Sequence, residues 1–297
     1  MSMAVTAEAV KALRERTGAG MMECKKALVE ANGDLEAAAE AMRKSGLAKA
    51  DKKAGRVAAE GVVVIERAAD GHSAAIVEVN SETDFVAREK DFQSFASEVA
   101  RAALAARPAD LDALLATKLP SGQTVEETRR ALIARIGENI GVRRFEIVTT
   151  AGHLASYLHG SRIGTLVLMD GGDETLGHDL AMHVAAINPQ YLSVDEVPAE
   201  FLAKEREIEM AKAEAEAQGK KPREIIAKMV EGRLRKSLGE ITLLGQPFVR
   251  DPEVTVEKLL AKSGAKVHGY VRYEVGAGIE KKQENFAAEV MAAVRGG

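Results

Sequence analysis

His178 and His183, in the stretch HDLAMH, are the nearest the sequence comes to a pair of metal ligands. Two ligands on one helix face need a separation of three or four residues, four in the HExxH pattern, and a separation of five splays them around the helix. Histidines at a surface or a helix cap are the simpler reading. The glycine-rich stretch TGAGMMECKK (17–26) is not followed by the Lys-Ser/Thr pair of a phosphate-cradling loop, so it offers nucleotide phosphates no such seat. Cys24 falls on the apolar side of a short helix and reads as a packed thiol. The 45 aspartates and glutamates are so many that any two could be paired on paper as acid and base, which singles out none of them. No metal, cofactor or catalytic residue is therefore assigned.

The apolar residues in polar surroundings say more. SETDFVAREKDF (81–92) follows AAIVEV, which reads as a buried strand, and it sets the ring of Phe85 in a polar turn among Thr83, Asp84, Val86 and the charged run from Arg88 to Lys90. Either the ring folds back on its own hairpin or a partner covers it. Met21 and Met22 open a helix after a glycine loop, and one helix face cannot bury both. Either one is core and the other incidental, or the pair is a soft contact surface. Contact-like features on separate segments, without a catalytic cluster, point to a binding protein that grips its partner at several places.

A chain of 297 residues suffices for two or three modest domains. A hydrophobic fraction of 46% and a charged fraction of 29% are those of a globular protein. The net charge of −4 gives the whole chain no electrostatic footprint for nucleic acid or an anionic membrane. A single cysteine fits a reducing cytoplasm. No apolar run approaches the roughly 18 residues of a membrane span, and MSMAVTAEAV does not resemble a signal peptide. The chain is expected in the cytoplasm.

Periodicity divides the chain into elements that would carry these residues. Residues 4–47 read as three short helices, with Thr6 capping the first and Asp34 the third. KADKKAGR (49–56) reads as a charged linker. GVVVIERAADGHSAAIVEV is a hairpin around ADGH, followed by the Phe85 turn and a helix carrying Phe92, Phe95 and Val99. Residues 107–123 look irregular, TVEETRRALIARIGENI begins at a capping box of Thr124 and Glu127, and RRFEIVTT (143–150) returns to strand. Residues 154–189 repeat the order hairpin, loop, helix. Two helical runs within 199–236 carry an apolar seam of Phe201, Ile208, Ile225, Ile226, Met229, Val230 and Leu234, with the first run net acidic and the second net basic. That favours an antiparallel helical hairpin, although a merely solvated charged arm remains open. A helix at 255–263, a strand at 267–275 and a last helix with Phe286 and Val290 close the chain. The fold class is α+β.

LRERTGAGMMECKKAL, EVNSETDFVA, IGENIGVRR, HGSRIG, KMVEGRLRK and LLGQPFVRD, in this order between about residues 5 and 293, closely resemble the bacterial elongation factor Ts family. The chain departs from the family at Leu244, where a threonine is frequent, and in a longer irregular stretch at 107–123. The resemblance implies a guanine-nucleotide exchange factor for the GTPase elongation factor Tu, with no catalytic residues, cofactor, direct nucleotide binding, nucleic acid or membrane of its own. It implies a three-helix domain of the ubiquitin-associated type over 1–55 with its linker. A core N-subdomain over 56–150 and a core C-subdomain over 151–198 and 237–275 are expected, with a coiled-coil hairpin at 199–236 and a C-terminal module at 276–297. By the same resemblance Thr83, Asp84, Phe85 and Val86 enter the GTPase near its Mg²⁺ subsite. Met21 and Met22 hold its nucleotide domain, and His159 and Gly160 face its third domain. A passive adaptor without exchange activity, or a small metal-dependent hydrolase, would be the alternatives.

Overall fold

The computed structural model describes residues 5–218 and 221–280. The expected last helix with Phe286 and Val290 lies outside the described residues, as does part of the hairpin tip QGKKP. The chain forms two units. One holds the described residues of Met1–Val64, Val77–Glu146 and Glu274–Gly297, the other Ile65–Ile76 and Ile147–Tyr273.

In the first unit the chain opens with α1 (Ala7–Thr17), α2 (Met21–Glu30) and α3 (Leu35–Lys53). Thr6 Oγ1 accepts from the Ala9 N–H at 3.1 Å, and Asp34 accepts from the N–H groups of Glu36 and Ala37, so both expected caps form. Val10, Leu13, Cys24, Ala27, Leu28 and Ala38 make a small shared core. The charged stretch expected to be a linker is instead largely the end of α3. Ala50 is buried there, Asp51 pairs with Arg130, and the Lys53 ammonium donates to the Gly137 carbonyl. The charges that read as linker decorate a helix lying along another helix, and Gly46 sets how closely: a Cβ there would stand 2.9 Å from that of Ala134.

Strands β1 (Glu60–Arg67) and β2 (Ser73–Ser81) pair about a turn in which the Gly71 N–H donates to the Ala68 carbonyl. Next come α4 (Asp84–Ala87), α5 (Lys90–Ala106), α6 (Leu111–Ala116), α7 (Val125–Ile136) and β3 (Ile140–Thr149), which completes a sheet in the order β1-β2-β3. The stretch expected to be irregular contains α6, because Asp110 caps the Ala113 N–H at 2.8 Å and Leu114 is buried. The capping box of α7 forms between Thr124 and Glu127. That helix stops at Ile136, since Gly137 takes φ +90°, and the strand begins at Ile140, three residues earlier than expected.

Glu78, fully buried in β2, is the electrostatic centre of this unit. It accepts from Arg143 at 3.0 Å, Arg144 at 2.6 Å, Asn80 at 3.0 Å and the Gly276 N–H at 2.8 Å. Burial pushes its carboxyl up, but the Gly276 N–H, Asn80 and the two arginines together outweigh burial and hold it below its ordinary value.

The second unit has β4 (His153–His159) antiparallel to β5 (Ile163–Asp170), then α8 (Glu174–Ile187), and after a 3₁₀ turn α9 (Ala199–Ala217) and α10 (Arg223–Ile241). A small pair, β6 (Pro247–Phe248) and β7 (Asp251–Thr255), is followed by α11 (Val256–Lys262) and β8 (Lys266–Glu274). Its sheet has the order β4-β5-β8, so in both sheets the hairpin's second strand is central and a strand from farther along the chain joins it. The hairpin-then-helix order of residues 154–189 forms as expected. The β6–β7 pair was not expected.

Helices α9 and α10 pack through Ala213, Ala217, Ile226 and Val230, and farther along through Leu202, Leu234 and Leu238. Arg233 crosses the pair to Glu216 at 2.5 Å. Phe201, Ile208 and Ile225, expected in the seam, are exposed. Phe201 and Ile208 are seven residues apart and share a face that is not the one carrying Ala213 and Ala217. Buried His183 is fixed at both nitrogens: it lies 3.0 Å from Gln246 Oε1 and accepts the Val249 N–H at 3.1 Å. Burial pushes its imidazole below its ordinary value, against a smaller opposing effect of Gln246.

Candidate functional site

The Phe85 turn is a single helical turn, α4, and its sequence dictates which side chain faces out. Thr83 caps it, accepting from the Val86 N–H at 3.4 Å. Val86 and Ala87 are buried, and consecutive helical residues point about 100° apart, so the ring before them is swung outward. Phe85 is 77% exposed. Of the two readings of this ring, folding back on its hairpin is the one the geometry denies. Asp84 pairs with Arg88 at 2.7 Å, four residues on, a spacing visible in the sequence but not read there.

The turn is anchored to the segment between α7 and β3. The Thr83 N–H donates to Glu138 Oε2 at 3.0 Å, and the Thr83 hydroxyl donates to Glu138 Oε1 at 2.7 Å. Reciprocally, the Asn139 N–H donates to Glu82 Oε1 at 2.6 Å. Asn139 Nδ2 in turn donates to the carbonyls of Arg56 at 2.7 Å and Ala54 at 3.4 Å, at the end of α3. Ser81 Oγ donates to the Thr83 carbonyl at 2.9 Å. Within IGENIGVRR the sequence alone gives Glu138 and Asn139 no role. Neither residue type nor spacing signals a partner 55 residues away.

Met21 and Met22 stand at the start of α2, on a different element from Phe85, and are 52% and 76% exposed. Neither is core, which removes the reading in which one of them is buried. Val29, one face-repeat after Met22, is exposed as well. His159 and Gly160 belong to the other unit, at the β4–β5 turn, where His159 is opposite Ile163 and Gly160 takes φ +58°. Tyr157, which the sequence reading passed over, reaches His159 Nδ1 with its hydroxyl at 3.2 Å and meets the His178 ring edge-on at 5.4 Å between centroids. Leu158 beside them is exposed.

Two groups capable of covalent or metal chemistry, Cys24 and His183, are held in structural roles. Cys24 is buried, with its sulfur 3.7 Å from Thr17 Oγ1. His183 is held as described, away from His178. Among the described residues no three His, Cys, Asp or Glu side chains gather as a metal site, and no helix is long and apolar enough to cross a membrane. What the surface offers is one apolar ring on a braced turn, with further apolar residues on other elements.

The family model for Elongation factor TS matches residues 82–277. The chain is 60% identical over 296 residues to Elongation factor Ts of Thioalkalivibrio sulfidiphilus, covering 99% of this chain and 100% of the relative. It is 58% identical over 295 residues to Elongation factor Ts of Alkalilimnicola ehrlichii, covering 99% and 100% respectively. The protein of the same name from Methylococcus capsulatus is 59% identical over 294 residues, covering 99% of each chain. The chain belongs to the elongation factor Ts family. Membership makes it a translation elongation factor, and it assigns the braced Phe85 turn, at the start of the matched region, to a member of that family.

Proposed function

We propose that this protein is a guanine-nucleotide exchange factor that acts on elongation factor Tu in the cytoplasm. It would bind the GDP form of the GTPase, set Asp84 and Phe85 near the partner's Mg²⁺ subsite, and promote release of GDP so that GTP can rebind. In this reading α1–α3 are a domain of the ubiquitin-associated type whose Met21 and Met22 hold the nucleotide domain. His159 and Gly160 meet the third domain, and α9–α10 form a coiled coil. The observation that carries the reading is the exposed Phe85 ring on a turn tied down at Glu82 and Thr83 and buried at Val86 and Ala87, in a chain of this family.

The chemistry required of the chain is binding alone. Burying a phenylalanine ring is worth roughly 1.5–3 kcal/mol, or about one to two powers of ten in an equilibrium constant. That is too little to expel a tightly held nucleotide unaided. Displacement of the partner's Mg²⁺ would supply the rest, because the phosphates then lose their largest counter-charge. Contacts by separate elements would hold the wedge in place. Thermodynamic linkage sets the cycle: the factor by which this protein weakens GDP binding is the factor by which GDP weakens its own binding.

The test is release of a fluorescent GDP analogue from elongation factor Tu, with and without this protein and its Phe85→Ala variant. Acceleration by the wild type and a loss of at least tenfold in the variant is the expected result. A variant as fast as the wild type would remove Phe85 from the mechanism. A folded wild type that gives no acceleration would end the reading.

A further inference from the structure

Glu138 and Asn139 exchange bonds with Glu82 and Thr83 in a matched way: on each side a backbone N–H donates to the other side's carboxylate. Glu138 spends both carboxylate oxygens on Thr83, one on its N–H and one on its hydroxyl. That hydroxyl oxygen is itself the cap of α4, so Glu138 fixes both where the turn starts and how its first residue is oriented. Two residues beyond Thr83 is Phe85, whose ring is 77% exposed and so has little packing of its own to hold it. Burial of Val86 and Ala87 sets the rotation of the turn, but its direction rests on Thr83. Glu138 is itself held: it follows Gly137, whose carbonyl receives Lys53, and precedes Asn139, whose side chain grips the carbonyls of Ala54 and Arg56.

We infer that Glu138 is a positioning residue for exchange, a carboxylate clamp that aims the Phe85 ring by holding Thr83, with Asn139 tying the same clamp to the end of α3. The inference rests on the exchange reading above. Because a charge-assisted pair of hydrogen bonds confines the turn before the partner arrives, the ring needs less ordering on binding. Glu138 touches neither partner nor nucleotide in this scheme. Its effect falls on the rate of exchange at saturation rather than on the grip supplied elsewhere.

The experiment compares Glu138→Ala and Glu138→Gln. In the free protein, amide hydrogen exchange of the Thr83 N–H is expected to quicken about tenfold or more in Glu138→Ala while β2 is unchanged. Glu138→Gln, which can still accept from the N–H and donate to the hydroxyl oxygen, is expected to stay close to wild type. In GDP release from elongation factor Tu, Glu138→Ala should lower the saturating rate about tenfold with little change in the half-saturating concentration. Glu138→Gln should restore most of that rate. Placed on Phe85→Ala, Glu138→Ala should add almost nothing, because there is no ring left to aim.

Unchanged exchange of the Thr83 amide in Glu138→Ala would overturn the clamp itself. A looser amide with full exchange activity, in a protein where Phe85→Ala is defective, would overturn the positioning role. Additive losses in the double variant would show a general structural effect and overturn it likewise. Full activity of Phe85→Ala would defeat the exchange mechanism, and the aiming role with it, while the free-protein amide measurement would still report whether the clamp exists.

Discussion

At the scale of single residues, the strongest statement concerns a carboxylate placed where carboxylates rarely survive. Taking Glu78 out of water costs several kcal/mol unless donors surround it, and four groups do: Arg143, Arg144, Asn80 and the Gly276 N–H. Glu78→Gln keeps the shape but removes the charge that both arginines face, and it is expected to destabilise the protein by about 3 kcal/mol at pH 7. Because the folded-state value of Glu78 lies below the ordinary 4.5, its contribution is fully present above that value and is lost as pH falls through the folded one. Urea unfolding should show a large gap between wild type and variant at pH 7 that narrows under acid conditions. An equal gap at all pH values would mean that packing, not charge, is what the substitution disturbs. None of this was legible in the sequence, where Glu78 is simply a polar interruption of AAIVEV. The exposure of Phe85 was half legible: its composition raised the question, but the answer depended on Val86 and Ala87 taking the inward positions.

At the scale of elements, the local signals were reliable and the long-range ones were hidden. Thr6, Asp34 and the Thr124–Glu127 box announced their helix starts because caps are made by neighbours in sequence. The end of α3 was misread because its charges are those of a linker and the partners that stabilise it, Arg130 and the Gly137 carbonyl, lie some 80 residues away. The α9–α10 seam was legible on α10, where Ile226, Val230 and Leu234 are buried as expected, and misread on α9, where Phe201 and Ile208 were expected in it. The helices in fact approach through Ala213 and Ala217, whose small side chains leave Phe201 and Ile208 outside. The close passage of α3 over α7 yields its own prediction. Gly46 faces Ala134 with no room for a Cβ at the present spacing, so Gly46→Val should force the two helices apart and cost about 1–3 kcal/mol. Thermal unfolding monitored by circular dichroism checks it. A variant as stable as wild type would mean that α3 holds α7 only through Asp51 and Lys53.

At the scale of the whole molecule, the apolar residues left in water are carried by several elements. Phe85 is on α4, Met21, Met22 and Val29 are on α2, and Leu158 is at the end of β4. Distribution of this kind suits a protein that must bind firmly and yet be released by a competing ligand, since no single contact carries the whole affinity. It also separates two measurable quantities. The methionines, exposed on a different element from the turn, are expected to supply grip, while Phe85 is expected to supply displacement. Replacing Met21 and Met22 together by serine removes apolar area worth roughly 1.5–3 kcal/mol once covered, which corresponds to about a tenfold or greater rise in the half-saturating concentration for GDP release. The rate at saturation should stay within about twofold of wild type, and thermal stability within about 0.5 kcal/mol, because neither side chain is part of the α1–α3 core. Phe85→Ala should show the opposite pattern, with the saturating rate lost. If the serine variant instead lowered the saturating rate and left the half-saturating concentration alone, α2 would belong to the displacement step, and the division of labour between grip and wedge would have to be given up.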